Sequence, residues 1–184
     1  NWGELPSDEY SYYHGYFQNF GLANKYINII ESAFDKIAKL NGFSCGFNKG
    51  GFIHVRRGDY CTLHALKLHG TLEKEYYDIA VNYFDSSISF NIFTNDRIWV
   101  VNNFNSERFI LSNSESYIYP DIVDLYKMSR FQNGIIANST FSFWAALMYS
   151  QKISKNIVCP KNWFADNDLQ IKSYKIKSPE WVER

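Results

Sequence analysis

The sequence has no apolar run long enough to cross a bilayer, although 46% of its 184 residues are hydrophobic. It has no excess of either charge, since 19 basic side chains balance 19 acidic ones. Binding to nucleic acid normally draws on a basic surplus, so that class of partner is disfavoured. Cysteine is scarce, odd in number and scattered at Cys45, Cys61 and Cys159. Such spacing fits reduced thiols in the cytoplasm and argues against a disulfide framework or a zinc site. His14, His54, His64 and His69 lack metal-ligand spacing with Cys or carboxylates. There is no Walker loop, no Gly-x-Ser-x-Gly elbow and no Asp-x-Asp pair of the kind that holds manganese. The expectation is a site without metal, without another cofactor and without a covalent nucleophile. The opening Asn1-Trp2-Gly3-Glu4-Leu5-Pro6 is neither basic nor apolar and has no initiator Met. It does not read as a leader peptide, and an upstream region is expected to be missing.

Aromatic side chains make up 18% of the residues, with 14 Tyr and 15 Phe. For any one ring, core packing is the expected role before sugar stacking. Apolar residues at Tyr26, Ile29, Ile30, Phe34, Ile37 and Leu40 mark one face of a helix over 22–40, stopped by Asn41-Gly42. Beyond it, short apolar runs alternate with amphipathic stretches. Strands are predicted at 51–55, 88–94, 108–111, 134–137 and 157–159. Helices are predicted at 72–84, 98–102, 122–131 and from 140 to Ser150, with Thr71, Asp121 and the Asn138-Ser139-Thr140 stretch as caps. The alternation implies βαβ units, hence an α/β fold with a Rossmann-like parallel sheet and flanking helices. A seam is expected at 41–51, rich in Gly, Asn and Ser. It divides an aromatic segment and connecting helix (1–45) from the α/β body (46–184).

Three strand ends carry chemistry. The first is His54-Val55-Arg56-Arg57-Gly58-Asp59-Tyr60, and ligands of open α/β sheets bind beyond such carboxyl ends. Paired guanidiniums suit a phosphate, because each planar fork donates parallel hydrogen bonds. Asp59 can fix one of the arginines, and a surface turn with a salt bridge explains the same residues equally well. The tripeptide Arg57-Gly58-Asp59 is too short to argue for adhesion. The second end is Ile136-Ala137-Asn138-Ser139-Thr140-Phe141, where a strand runs into a helix start. The free N–H groups of that first turn form an anion site, to which the Ser139 and Thr140 hydroxyls add donors. Ordinary N-capping accounts for them as well, and the sequon reading of Asn138-Ser139-Thr140 fits a strand-to-helix junction poorly. The third end is Phe93-Thr94-Asn95-Asp96, where a carboxylate can accept from guanine or ribose, or simply cap the next helix. Asp124 can do either job. Together these ends suggest a nucleoside diphosphate.

The same residues resemble a family. His54-Val55-Arg56-Arg57-Gly58-Asp59-Tyr60 looks like the His-x-Arg-Arg-Gly-Asp-Tyr motif of the α1,2-fucosyltransferases, glycosyltransferase family 11. The likeness continues, in family order, at Gly15-Tyr16-Phe17-Gln18, at Ile92 to Asp96 and at Asp124-Leu125-Tyr126-Lys127-Met128-Ser129. It extends to Ile136 to Trp144 and to Pro160-Lys161-Asn162-Trp163-Phe164. Phe143, Ala145 and Thr140 depart mildly from the family pattern. The family's Gly-Gly-Leu-Gly-Asn-Gln-type loop and first domain do not occur in this sequence, so the resemblance does not extend to the acceptor site or to independent activity.

The resemblance implies the C-terminal, donor-binding half of a GT-B glycosyltransferase, with GDP-fucose as donor and a galactose-terminated glycan as acceptor. It implies inverting, metal-independent α1,2 transfer in bacterial surface-glycan synthesis. The expected place is the cytoplasm, at the inner face of the membrane, with at most peripheral association. By similarity, Arg56 holds the β-phosphate, His54 lies near ribose or phosphate, Asp96 reads guanine, and Ser139, Thr140 and Phe141 grip the diphosphate. Arg57 and Asn138 complete the expected donor site. Asp59 is the local candidate for the base, with pairing to Arg57 as its structural alternative. The competing expectations are another GDP-sugar as donor, or a GDP- or glycan-binding module without turnover.

Overall fold

A computed structural model describes Tyr16 and residues 18–184 of the chain. Gly15 and Phe17 of the Gly15-to-Gln18 stretch, and His14, lie outside the described residues. The chain runs α1 (Phe20–Leu40), β1 (Asn48–Val55), α2 (Leu63–Leu68), α3 (Lys74–Val81), β2 (Phe90–Thr94), α4 (Arg97–Asn103) and β3 (Phe109–Leu111). It continues through α5 (Pro120–Ser129), β4 (Phe131–Ile135), α6 (Thr140–Leu147), β5 (Asn156–Cys159), α7 (Asn167–Lys172) and β6 (Val182–Glu183).

The strands form one sheet in the order β3-β2-β1-β4-β5-β6, and every neighbouring pair is parallel. This is the doubly wound α/β arrangement expected from the sequence. The winding reverses beside β1, so the carboxyl ends of β1 and β4 diverge and open a crevice between them. Alternation of side chains along the central strands sends neighbours to opposite layers. Ile53, Val55, Phe90, Ile92, Ile135 and Val158 pack with Tyr77, Ala80, Val81 and Val100 of α3 and α4. Phe52, Phe93, Ile136 and Ile157 pack on the other side with Ala23 and Ile27 of α1, Met128 of α5 and the apolar run of α6.

Two glycines let the central strands pass closely. Gly51 lies opposite Phe90 and Gly134 opposite Phe52 in the sheet register. A Cβ on either would sit 2.4 Å from that phenylalanine ring. The aromatic partner therefore fills the space that a larger residue would need.

Helix α1 has Asn19 as its cap, accepting from the Leu22 N–H at 3.0 Å, and ends at Gly42 with φ 71°. It is joined to the α/β layers by Glu31, which is fully buried. The Glu31 carboxylate accepts from the Tyr149 N–H at 2.6 Å and forms an ion pair with Lys152 at 2.7 Å. These contacts explain why α6 stops at Leu147 rather than at the predicted Ser150. Tyr149 adopts a left-handed φ of 63°, unusual for a non-glycine residue, and its phenol donates to Asp35 at 2.7 Å. α1 thus fixes the end of the helix whose beginning forms part of the site.

Helices α2 and α7 and strand β6 have no counterpart among the predicted elements. The cap of α5 also differs from expectation: Pro120 occupies its first turn after Tyr119, and Asp121 lies inside the helix. At α3 the first residue follows Glu73 rather than Thr71, whose hydroxyl instead donates to Glu73 at 2.8 Å.

Candidate functional site

The carboxyl end of β1 delivers two arginines with different fates. Alternation sends Arg56 toward the crevice and Arg57 toward the α3–α4 layer. Arg56 Nη2 donates to Asp59 Oδ2 at 2.8 Å, and its guanidinium lies 5.6 Å from the Tyr60 ring. Asp59 Oδ1 is also occupied, accepting from Asn95 Nδ2 at 3.0 Å. Asn95 approaches so closely that a Cβ on Gly58 would meet its Nδ2 at 2.6 Å. Arg57, in contrast, bonds Glu73 at 3.0 Å and the Leu72 carbonyl at 3.3 Å, and covers the Trp99 ring at 4.5 Å. The carboxylate that pairs with an arginine in this loop therefore pairs with Arg56; the expected alternative of an Asp59–Arg57 pair is replaced by Arg57–Glu73.

The carboxyl end of β4 supplies the other wall. Ser139 caps α6, its Oγ accepting from the Phe141 N–H at 3.3 Å. Thr140 and Phe141 begin the helix, where backbone N–H groups carry uncompensated positive charge. Asn138 is buried and braces the loops around it: its amide donates to the His69 carbonyl at 2.7 Å and the Trp163 carbonyl at 3.2 Å. Tyr60 donates to the Asn138 carbonyl at 3.3 Å, tying the β1 loop to the β4 loop.

Two cavities flank this junction and share only Arg56 and Phe141 among their lining residues. One, of about 360 Å³, is lined by His54, Thr94, Ser114, Glu115 and Asp124 among others. The second, of about 730 Å³, has walls from Tyr60, His69, Trp144, Trp163 and Phe164, with Asp59, Asn138, Ser139 and Thr140 at the junction side. A third cavity, of about 400 Å³, lies away from the strand ends beside Cys45, Asn91 and Lys127 and holds none of the predicted site residues.

The electrostatics of the smaller cavity are set by burial. His54 is 3% exposed, and burial, helped by the neighbouring Arg56 charge, pushes its imidazole down to about 3. It is therefore neutral at physiological pH, and its ring lies 5.4 Å from that of Phe141. Burial raises the Asp124 carboxyl, assisted by Asp121 and opposed by Ser114, Lys127 and Arg97. Asp124 Oδ1 is buried without a hydrogen-bond partner among the described residues. A carboxylate in that condition is poised to accept from a ligand.

Of the predicted residues, the structure brings His54, Arg56, Asp59, Asn138, Ser139, Thr140 and Phe141 to these cavities. Arg57 and Asp96 line neither. Asp96 caps α4, accepting from the Trp99 N–H at 3.0 Å, and lies 3.8 Å from Arg57. The acid of the smaller cavity with an enclosed oxygen is Asp124, which is half-buried. His69 carried no local signal in the sequence, because its place depends on α2 bringing it back under Tyr60. Trp144, Trp163 and Phe164 were visible only as parts of motifs.

Cys45, Cys61 and Cys159 are free thiols. No described helix is long and apolar enough to cross a membrane. Among the described residues no group of three or more His, Cys, Asp or Glu is placed to hold a metal ion.

The chain is 36% identical over 136 residues to the O-antigen biosynthesis glycosyltransferase WbnK of Escherichia coli, covering 71% of this chain and 43% of that protein. It is 32% identical over 136 residues to an alpha-1,2-colitosyltransferase of Escherichia coli, covering 71% of this chain and 46% of that protein. The chain thus spans less than half the length of these curated relatives. No solved structure matches it significantly. The family model for glycosyl transferase family 11 matches residues 2–184, and the chain belongs to that family.

Proposed function

We propose that this chain forms the donor-binding half of a transferase that moves fucose from GDP-fucose to a galactoside hydroxyl, in α1,2 linkage, during glycan biosynthesis. The observation that carries this reading is the junction of two cavities at Arg56 and the start of α6. A diphosphate at that junction would receive the Arg56 fork from one side and helix N–H groups from the other. The nucleobase would then enter the smaller cavity, where Asp124 has an unpaired buried oxygen. Guanine presents its N1–H and 2-amino group side by side, which complements a carboxylate. The sugar would face the larger, aromatic cavity.

In the transfer, the acceptor oxygen bonds to the anomeric carbon while the bond from that carbon to the β-phosphate oxygen breaks. GDP leaves with the electron pair, and the acceptor proton passes to a base. The anomeric centre inverts, and no metal is required if Arg56 and the helix start neutralise the leaving group. Preorganised donors of this kind each contribute roughly a hundred- to thousandfold in rate. Both oxygens of Asp59 are engaged, by Arg56 and Asn95, so its role in this reading is to aim Arg56. Asp96 and Arg57 support the loop from behind. The protein would act in the cytoplasm, at most peripherally attached to the membrane.

Titration calorimetry with GDP, GDP-fucose and UDP, with and without EDTA, tests this directly. GDP and GDP-fucose should bind in either buffer, and equal binding of UDP would sink the guanine assignment. Fucosyl transfer to lactose by a polypeptide of the relatives' full length then separates an enzyme from a binding module. The relative named for colitosyl transfer favours one second reading, in which the nucleotide grip is the same and the glycosyl group is not fucose.

A further inference from the structure

The larger cavity has a wall that starts at the phosphate grip, Arg56, and runs on through side chains that neither that grip nor the base site uses. Along it the Arg56 guanidinium, the Tyr60 ring, the His69 ring and the Phe164 ring follow one another. Arg56 lies 5.6 Å from Tyr60, Tyr60 stacks on His69 at 4.7 Å with 17° between planes, and Phe164 lies 5.7 Å beyond at 39°. The backbone on either side is fixed. The His69 carbonyl accepts from Asn138, and the Trp163 and Phe164 N–H groups both donate to Gln170 Oε1, at 2.7 and 2.9 Å. The imidazole is thus flanked by aromatic rings, and His69 lines the cavity. Neither nitrogen has a hydrogen-bond partner among the described residues.

His69 is half-buried, held by stacking and without a side-chain hydrogen bond among the described residues, so its nitrogens are available to a ligand in the cavity. Burial lowers its proton affinity below the ordinary value, against the opposing charge of Asp59 and with help from His64. The neutral ring offers one donor and one acceptor, the complement of a hydroxyl group. Trp144, half-buried in the same cavity, supplies an aromatic surface of the kind on which the C–H face of a sugar ring can rest. Leu68, Ala65 and Leu169 complete an apolar lining.

We propose that this cavity is a pyranose subsite in which the edge of His69 hydrogen-bonds a ring hydroxyl and Trp144 supports the sugar. The assignment rests on the reading of Arg56 and α6 as the diphosphate grip, since that grip places a glycosyl group at the cavity mouth. The pyranose can come from the donor or from the acceptor glycan, and the two sources are separable by experiment.

The test compares wild type with His69→Phe, which keeps the stack and removes both nitrogens. GDP and GDP-fucose are titrated calorimetrically, methyl β-galactoside and free L-fucose are followed by saturation-transfer NMR, and the His69 ring nitrogens are followed by 15N shifts. If the donor sugar occupies the subsite, GDP-fucose binds wild type roughly fivefold more tightly than GDP, and the variant loses that gain with GDP affinity unchanged. If the acceptor occupies it, saturation transfer to methyl β-galactoside is lost in the variant instead. In either case the His69 nitrogens shift with the pyranose and not with GDP. The proposal is overturned if the variant retains every sugar-dependent signal, if wild type shows none, or if the variant loses GDP itself. Absence of GDP binding in wild type would refute the nucleotide reading alone, because free L-fucose and methyl β-galactoside still decide the subsite.

Discussion

Replacing Asp124 with Asn should make the unliganded protein more stable and its nucleotide site less discriminating. Its carboxyl is pushed upward by burial, and one oxygen is enclosed without a partner. A raised carboxyl costs the fold stability once it ionises, so the contribution is intact below the unfolded value of 3.8 and is lost as pH climbs through the raised one. Neutralising it should return about 1 kcal/mol near pH 7.5, the lower end for a buried, poorly satisfied polar group. For a domain of this size that is a rise of about 2–4 °C in midpoint temperature. The gain should shrink as pH falls and vanish below the unfolded value of 3.8, where the acid is protonated in both states. Binding should move the other way. Charge-assisted hydrogen bonds are worth about 1.5–3 kcal/mol each, so losing one weakens GDP by roughly ten- to a hundredfold. Inosine diphosphate, which lacks the 2-amino group, reports the mechanism: wild type should prefer GDP to it, and Asp124→Asn should not. Scanning fluorimetry across that pH range and competitive calorimetry supply the readouts. A variant that melts lower at pH 7.5 while keeping the GDP preference would show that Asp124 is a scaffold residue and remove it from the site.

Other outcomes follow from the same geometry. Arg56→Ala should lower GDP affinity by roughly a hundredfold, whereas Asp59→Ala, which frees Arg56 without removing it, should cost roughly tenfold; calorimetry separates them, and equal losses would mean Asp59 meets the ligand itself. Gly134→Ala places a methyl 2.4 Å from the Phe52 ring and 2.8 Å from Ile157 Cδ1, so chemical denaturation should show a loss of about 1–3 kcal/mol. His54 stays neutral when folded down to about 3 but takes a proton at 6.5 when unfolded, so stability should fall as pH drops through that window. The slope should reach up to about 1.4 kcal/mol per pH unit, and His54→Asn should flatten it in denaturation curves measured from pH 7 to pH 4.

The sheet was legible because its strands are short apolar runs closed by polar turns, and β1, β2, β3 and β5 lie within a few residues of their expected places. β4 shifted toward its N-terminus, to Phe131–Ile135, for a reason outside local pattern. Asn133 looks like a turn residue, yet its amide donates to the Lys49 and Gly50 carbonyls at 2.8 and 3.2 Å, and its oxygen accepts from Asn156 at 3.0 Å. A polar residue can occupy a central strand when its neighbours in the sheet satisfy it, and the Lys49 and Gly50 carbonyls, 84 and 83 positions away in sequence, become its neighbours only once the fold exists. Helix α2 was missed because its six residues carry too little periodicity to register.

The two arginines show where sequence reasoning about a site reaches its limit. Adjacent guanidiniums at a strand end suggest an anion, and the pleat, readable from the sequence, sends Arg56 with His54 to one face and Arg57 to the other. What each one then meets is decided by what waits on its side. Arg57 finds Glu73, the Leu72 carbonyl and the Trp99 face in the α3–α4 layer, and keeps 14% of its side chain exposed. Arg56 finds Asp59 and keeps 32% exposed, enough to reach both cavities while being held in direction. The pair therefore divides its work: Arg57 fixes the loop from behind, and Arg56 is aimed from the front. The same division separates Asp96 from Asp124. Asp96 spends its carboxylate on a helix cap and beside Arg57, while Asp124 keeps one buried oxygen without a partner among the described residues. Sequence identifies such residue types; the distinction between a spent and an unspent polar group exists only in the folded chain.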